Sequence, residues 1–265
     1  MAGLTSHYST NGMYMAIVVI YVFCNTLCIN KISKKYYKPR VILLVTMIAL
    51  LMTGKRAHLL FTVVAVVVVY YFYKSNKPHG RILKIVLGLA LGIVIVFWLS
   101  LMYPNLFSSF SRFISIAEDG DITTGRIDLW IKATDYFKKY PVCGIGFKQF
   151  IRIEGLDVHN VFLQLLCETG VLGFLTHVIP MSLTMFSSIR HLVFLRKKHL
   201  YNNDTEKQFY MTFAVCYQMF FLMYCITGNP WYDLPTLFPY MFCVGINLYF
   251  SREMKVFKKD IRNSR

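Results

Sequence analysis

Apolar residues in this chain run in long blocks separated by short clusters of charge, a rhythm too coarse for an alternating strand or a surface helix. Seven blocks stand out: roughly Gly12–Ile29, Val41–Thr53, Leu59–Tyr73, Ile82–Tyr103, Asn160–Ile189, Phe209–Thr227 and Thr236–Phe250. Each reads as a helix that is apolar on all sides, the form a chain takes where lipid offers its backbone no hydrogen bonds. Several are shorter than the ~20 residues a straight crossing takes, so those helices borrow flanking residues or stop short of one surface. The pattern predicts an all-α polytopic membrane protein of about seven transmembrane helices. Residues 1–103 hold four helices and a recessed cationic turn at 53–58. Residues 104–158 form a large external loop containing an amphipathic helix, and 159–265 hold three helices and a basic cytoplasmic tail.

Composition agrees with a bilayer. The chain is 56% hydrophobic and 16% charged, with mean hydropathy +0.48, against about 45–50% apolar residues in soluble domains. The formal charge of +16 invites a nucleic-acid reading, but its distribution argues otherwise. Of the 29 Lys and Arg, 20 fall on one side of the predicted spans: the loop around Lys31–Arg40, the loop Lys74–Lys84, the segment Arg190–Lys207 and the tail after Phe250. By the positive-inside rule that side is cytoplasmic, which puts Pro104–Val158 and the start of the chain outside. Six of the seven cysteines lie in apolar blocks and Cys143 in the loop, so neither a disulfide framework nor a metal set is implied.

Chemistry concentrates on the outer side. The 55-residue loop is long enough to hold structure of its own. Within it Ile127, Trp130, Ile131 and Phe137 recur at helical spacing, which reads as an amphipathic helix on the membrane surface. Gly125 and Arg126 open it, and Pro141 and Gly144 stop it. On residue type alone, an interfacial helix whose Arg126 touches lipid headgroups is the favoured account. The turn Thr53-Gly54-Lys55-Arg56-Ala57-His58 sits between apolar runs of 13 and 15 residues, which span only about 20–22 Å of a ~30 Å core. Cations recessed to that depth need an anion or water unless they snorkel to the headgroups, and snorkelling is a full account of Lys55. His159 stands at the start of the fifth block after Asp157, where the positive end of a helix dipole disfavours protonation and leaves a neutral imidazole able to act as a base. Glu168, nine residues on, faces away from His159 and is expected to pair with another helix inside the membrane, while Gly170 and Gly173 let a neighbouring helix come close. His177 reads as a packing residue, and Asn229–Pro235 as an aromatic outer loop suited to sugar stacking or to an interface belt.

The order Thr124-Gly125-Arg126-Ile127-Asp128-Leu129-Trp130, then Tyr140-Pro141-Val142-Cys143-Gly144-Ile145-Gly146-Phe147, then His159-Asn160 and Glu168-Thr169-Gly170, resembles the bacterial O-antigen ligase and O-antigen polymerase family. The resemblance implies the C-terminal two-thirds of a member and a place in the bacterial cytoplasmic membrane with the active site on the outer face. It implies a glycosyltransferase that moves a glycan from undecaprenyl diphosphate to the terminal sugar of an acceptor glycan, without metal or other cofactor and with inversion. His159 would be the catalytic base, and Arg56 and Arg126 would bind the diphosphate through paired guanidinium donors. Lys55, Asn160 and Glu168 are secondary candidates. The partners implied are the undecaprenyl-diphosphate-linked oligosaccharide, the acceptor glycan and the lipid bilayer, and no nucleic acid. A capsule, exopolysaccharide or O-antigen polymerase is the leading expectation. Its alternatives are an O-antigen ligase serving a lipid or protein acceptor, or a polysaccharide or lipid transporter, although internal repeats and matched interrupted helices are not evident.

The charge split predicts a topology. In a variant depleted of cysteine, thiols introduced at Gly120 and Asp233 should react with an impermeant reagent in intact cells. Those at Ser33, Asn76 and Asn203 should react only after permeabilisation, and labelling at Ser33 in intact cells would refute the arrangement.

Overall fold

The computed structural model describes residues 8–28, 37–74, 126–197 and 205–263. These form eight α-helices and one 3₁₀ turn, with no strand among the described residues. In chain order the helices are α1 (Tyr8–Cys28), α2 (Tyr37–Met52), α3 (Arg56–Lys74), α4 (Arg126–Lys139), α5 (Gln149–Glu154), α6 (Val161–Lys197), α7 (Thr205–Thr227) and α8 (Leu234–Asn263); the 3₁₀ turn Pro230–Tyr232 joins the last two. Four helices are long and apolar enough to cross a membrane, over Thr10–Cys28, Val161–Leu195, Thr205–Thr227 and Leu234–Arg252. Pro39–Met52 and Arg56–Tyr71 are shorter apolar helices. The span expected at Ile82–Tyr103 and the loop up to Gly125 lie outside the described residues.

α7 is the hub and touches α1, α3, α6 and α8. Met211, Ala214, Val215, Tyr217, Phe220, Phe221 and Cys225 bury nearly its whole circumference. α1 meets it with Met13, Ala16, Ile20, Cys24 and Leu27 at helical spacing and leaves Tyr14, Val18 and Tyr21 exposed on the opposite side. α2 exposes Val41, Ile42, Leu44, Val45, Ile48 and Met52, an outward apolar face that belongs against lipid. Apolar contact alone does not choose partners in a bilayer, and buried polar pairs add the choice. Gln218 donates to Ser188 at 3.0 Å, Tyr217 to the Thr236 carbonyl at 3.1 Å, and Tyr73 to Gln208 at 3.3 Å.

The helix expected over Asn160–Ile189 is longer and is not continuous. It breaks at Gly170, whose φ of 64° and ψ of −169° no other residue type adopts readily. The break frees backbone groups, and the loop after α4 takes them up. Ile145 and Gly146 donate to the carbonyls of Cys167 and Glu168 at 3.0 and 2.8 Å, while Val171 donates to the carbonyl of Pro141 at 2.9 Å. Backbone packs directly on backbone here: a Cβ on Gly170 would lie 2.2 Å from the Val142 oxygen, and one on Gly144 would lie 2.3 Å from the Glu168 carbonyl carbon. Gly170 therefore admits a loop rather than the neighbouring helix expected, and a Cβ on Gly173 would meet the Thr169 side chain of its own helix.

α4 packs on the protein along one side. Leu129, Trp130, Ala133 and Phe137 pack with Phe150, Val158, Leu163 and Cys167 in a second core, and Ile127 and Ile131 remain exposed. The loop and the broken helix are thus one unit.

The glycines allow a graded test by thermal unfolding in detergent. Gly155→Ala meets nothing within 4 Å and bears only its left-handed strain, about 1–2 kcal/mol. Gly144→Ala and Gly170→Ala add a backbone clash and should lose roughly 3–5 kcal/mol. Equal losses at all three positions would mean that the loop does not seat in the break.

Candidate active site

The sequence candidates converge at the junction of α3, α4, α6 and α7. Gly54, at φ 69°, ends the turn after α2, and Leu59 donates to the Lys55 carbonyl at 3.1 Å to begin α3. Lys55 is half-buried because α1 offers a glycine opposite it: a Cβ on Gly12 would lie 3.0 Å from the Lys55 Cβ and Cγ. Arg126 opens α4, and its Nη1 donates to the Thr227 carbonyl at the end of α7 over 3.5 Å. Burial first, and then the Arg126 charge, lowers the Lys55 pKa from its usual value, so these two cations feel one another. Arg56 is one helical step away and exposed. Lys55, a secondary candidate in the sequence, thus stands with Arg126, and Arg56 adjoins it at the start of α3.

His159 completes the cluster. Its pKa is lowered from 6.5, by burial foremost and then by Arg126, with Lys55 adding to the effect and Asp157 opposing it. The direction is the one the sequence predicts, and burial with the neighbouring cations carries it here. α6 begins two residues later, and Asn160 caps it, its Oδ1 accepting from the Leu163 amide at 3.0 Å. His159 itself has φ 57°, an uncommon left-handed backbone for a side chain of its size.

Such a conformation persists only where its surroundings hold it. The preceding residue is clamped at both ends: Trp130 Nε1 donates to the Val158 carbonyl at 3.0 Å, and the Val158 amide donates to Gln164 Oε1 at 3.3 Å. Gln164 is fully buried and also donates to Asp157 at 3.3 Å and Glu168 at 3.1 Å. Glu168, equally buried, accepts further bonds from the amides of Lys148 at 2.8 Å and Phe150 at 3.3 Å and from Tyr232 Oη at 2.9 Å. The expected intramembrane helix partner of Glu168 is thus a set of donors from α5, the 3₁₀ turn and its own helix. Cys143 is exposed on the loop, and His177 bonds to the Gly173 carbonyl of its own helix turn at 2.7 Å. Among the described residues no group of three or more His, Cys, Asp or Glu could hold a metal ion.

A cationic pair beside a half-buried histidine, on a Gly-Arg helix start and a His-Asn helix cap, is a combination open to comparison with known families. A family model described as O-antigen ligase matches residues 41–178, just over half the chain. The chain belongs to the O-antigen ligase family. No curated protein matches it. The O-antigen ligase match takes in Lys55, Arg56, Arg126, His159, Asn160 and Glu168, and it marks an integral membrane protein of the glycan-processing kind, in the O-antigen ligase and polymerase group. Its limit at 178 falls before the end of α7 and the connection to α8, which bring Thr227, Asn229 and Tyr232 to the same region.

Gln164 escaped the sequence reading, although a signal was present. Asn160, Gln164 and Glu168 are spaced by four, which sets three polar residues on one face of an otherwise apolar helix.

The Glu168 network should be visible as stability. Glu168→Gln leaves amide donors facing an amide and should lose about 2–4 kcal/mol in detergent unfolding, whereas Tyr232→Phe, which removes one donor, should lose about 1–2. Parental stability in Glu168→Gln would show that the carboxylate does not hold these elements together.

Proposed function

We propose that this protein is a polysaccharide polymerase. It transfers a glycan from undecaprenyl diphosphate to the terminal sugar of an acceptor glycan on the outer face of the bacterial cytoplasmic membrane, with inversion and without metal. The observation that carries the reading is the grouping of Arg126, Lys55 and His159, with a lowered histidine pKa, at one helix junction. The acceptor hydroxyl oxygen attacks the anomeric carbon from the face opposite the diphosphate. The bond from that carbon to the diphosphate oxygen breaks and its electron pair stays on the leaving group. His159 takes the hydroxyl proton and later releases it to water. Arg126 and Lys55 neutralise the charge growing on the diphosphate, Arg126 through a planar fork of donors and Lys55 as a point charge; Arg56 meets the same headgroup from the exposed side. The cations there take the part a divalent ion plays in other glycosyl transfers. A ligase differs only in its acceptor, and the description of the matching family favours it as the second reading.

Kinetics separate the roles. His159→Ala should lower turnover about 10²–10⁴-fold while the protein still retains lipid-linked substrate. His159→Asn should do no better, although asparagine accepts the left-handed backbone. Arg126→Ala should cost roughly 2–5 kcal/mol in donor binding and turnover together, and Lys should rescue it only in part. Activity needs the neutral imidazole, so the parental rate should fall on the acid side with a midpoint below 6.5. Removing a positive neighbour favours protonation, so Lys55→Met should move that midpoint upward. A chelator should leave the rate unchanged. Parental polymer synthesis by His159→Ala, or loss of activity on chelation that a divalent ion restores, would remove this mechanism.

A further inference from the structure

Three side chains beside the cationic pair, buried His58 and half-buried Thr227 and Asn229, supply four of the six buried polar atoms without a hydrogen-bond partner among the described residues: both ring nitrogens of His58, Oγ1 of Thr227 and Oδ1 of Asn229; the other two belong to Gln218 and Tyr240. His58 is only 2% exposed and lies one turn into α3 from Lys55, against the rings of Tyr224 at 4.3 Å and Phe220 at 5.9 Å. It shares with Lys55 the recess opposite Gly12, whose absent Cβ would lie 3.5 Å from the His58 ring. Thr227 is the residue whose carbonyl Arg126 holds, and Asn229 is bonded to Gln164. All three therefore border residues already placed in the site, on the side formed by the end of α7. Buried polar groups are nearly always paired, and a set of exceptions at one place asks for an absent partner.

The chemistry of the set narrows that partner. The amide of Gln164 has to point its NH₂ at the carboxylates of Asp157 and Glu168, so its oxygen faces Asn229. Asn229 then spends its own NH₂ on that oxygen and keeps only a carbonyl for other use. A carbonyl accepts, a threonine hydroxyl does both, and a neutral imidazole donates from one nitrogen and accepts at the other. An ionised diphosphate offers acceptors alone and has nothing to give the Asn229 carbonyl. Sugar hydroxyls donate and accept, and they fit all three.

We propose that His58, Thr227 and Asn229 form a subsite for the hydroxyls of the sugar attached to the diphosphate, so that the protein binds the glycan-bearing lipid in preference to the bare lipid. The proposal rests on the reading of Lys55 and Arg126 as the diphosphate site. The flexible Lys55 side chain, turning outward to meet the diphosphate, opens the recess it shares with His58.

Two probes test this on the purified full chain in nanodiscs: undecaprenyl diphosphate, and the same lipid carrying the host cell's repeat unit. The parental protein should bind the glycan-bearing lipid more tightly. His58→Phe, which places an apolar ring among Phe220 and Tyr224, should reduce that preference about tenfold and leave bare-lipid affinity unchanged, as expected for one lost buried hydrogen-bonding group. Its melting midpoint should stay level or rise, because an unpaired buried polar group has been removed; a packing histidine would give the opposite. Thr227→Val should act in the same direction, and Arg126→Ala should weaken both lipids alike. An unchanged preference in His58→Phe, or equal weakening toward both probes, overturns the subsite. Failure of the parental protein to retain either lipid removes the diphosphate reading, and the subsite with it.

Discussion

A carboxylate closed off from water must find donors, and the donors that Glu168 finds come from pieces of chain far apart in sequence. The amides of Lys148 and Phe150 belong to the start of α5, the hydroxyl of Tyr232 to the turn before α8, and the Gln164 amide to its own helix. The break at Gly170, two residues on, opens the backbone edge on which residues 141–146 settle. One buried charge and one missing side chain together bind loop, helix and turn into a single body. Val158 and Asn160, on either side of His159, are positioned from that body.

The site inherits its order from there. Gln164 carries the position of Glu168 back to Asp157 and Val158, Trp130 fixes the other side of Val158, and His159 is left with no freedom but its ring. The cations come from a different direction. Lys55 reaches the junction because α1 presents Gly12, and Arg126 reaches it because α4 is braced on α6. Neither depends on the other's element for support, yet each modifies the charge state of the same histidine.

Much of the helix inventory was legible in the sequence, because an apolar run bounded by charge has few other solutions in a bilayer. α1 and α7 follow their blocks within about four residues, α8 begins two residues before its block but continues as helix thirteen residues past it to Asn263, and α4 starts and stops where Arg126 and Pro141 indicated. The break at Gly170 was hidden for the same reason: Leu163–Leu175 stays mainly apolar across it, and nothing in a hydropathy pattern marks where backbone hydrogen bonds leave the helix. The burial of Lys55 beside an exposed Arg56 was equally closed to one-dimensional reading. Neighbouring residues at a helix start point about 100° apart, and which of them turns inward is decided by the Gly54 turn and by the room opposite Gly12. His159, Arg126 and Glu168 were found through their spacing in a motif; Gln164, which joins two of them, looked like one more polar residue in a helix.

The break in α6 also acts as a ruler. Unbroken, its 37 residues would extend roughly 55 Å, far beyond a ~30 Å hydrocarbon layer. Divided at Gly170, the stretch from Val171 to Lys197 measures about 40 Å, enough for a crossing with some tilt. The first piece, Val161 to Thr169, adds only about 13 Å and is surplus to that crossing. Its own axis is set by the loop instead of by lipid. Because the loop bonds Cys167 and Glu168 on one side of the break and Val171 on the other, the angle between the two pieces is fixed, and tilt in the spanning piece is carried to the histidine.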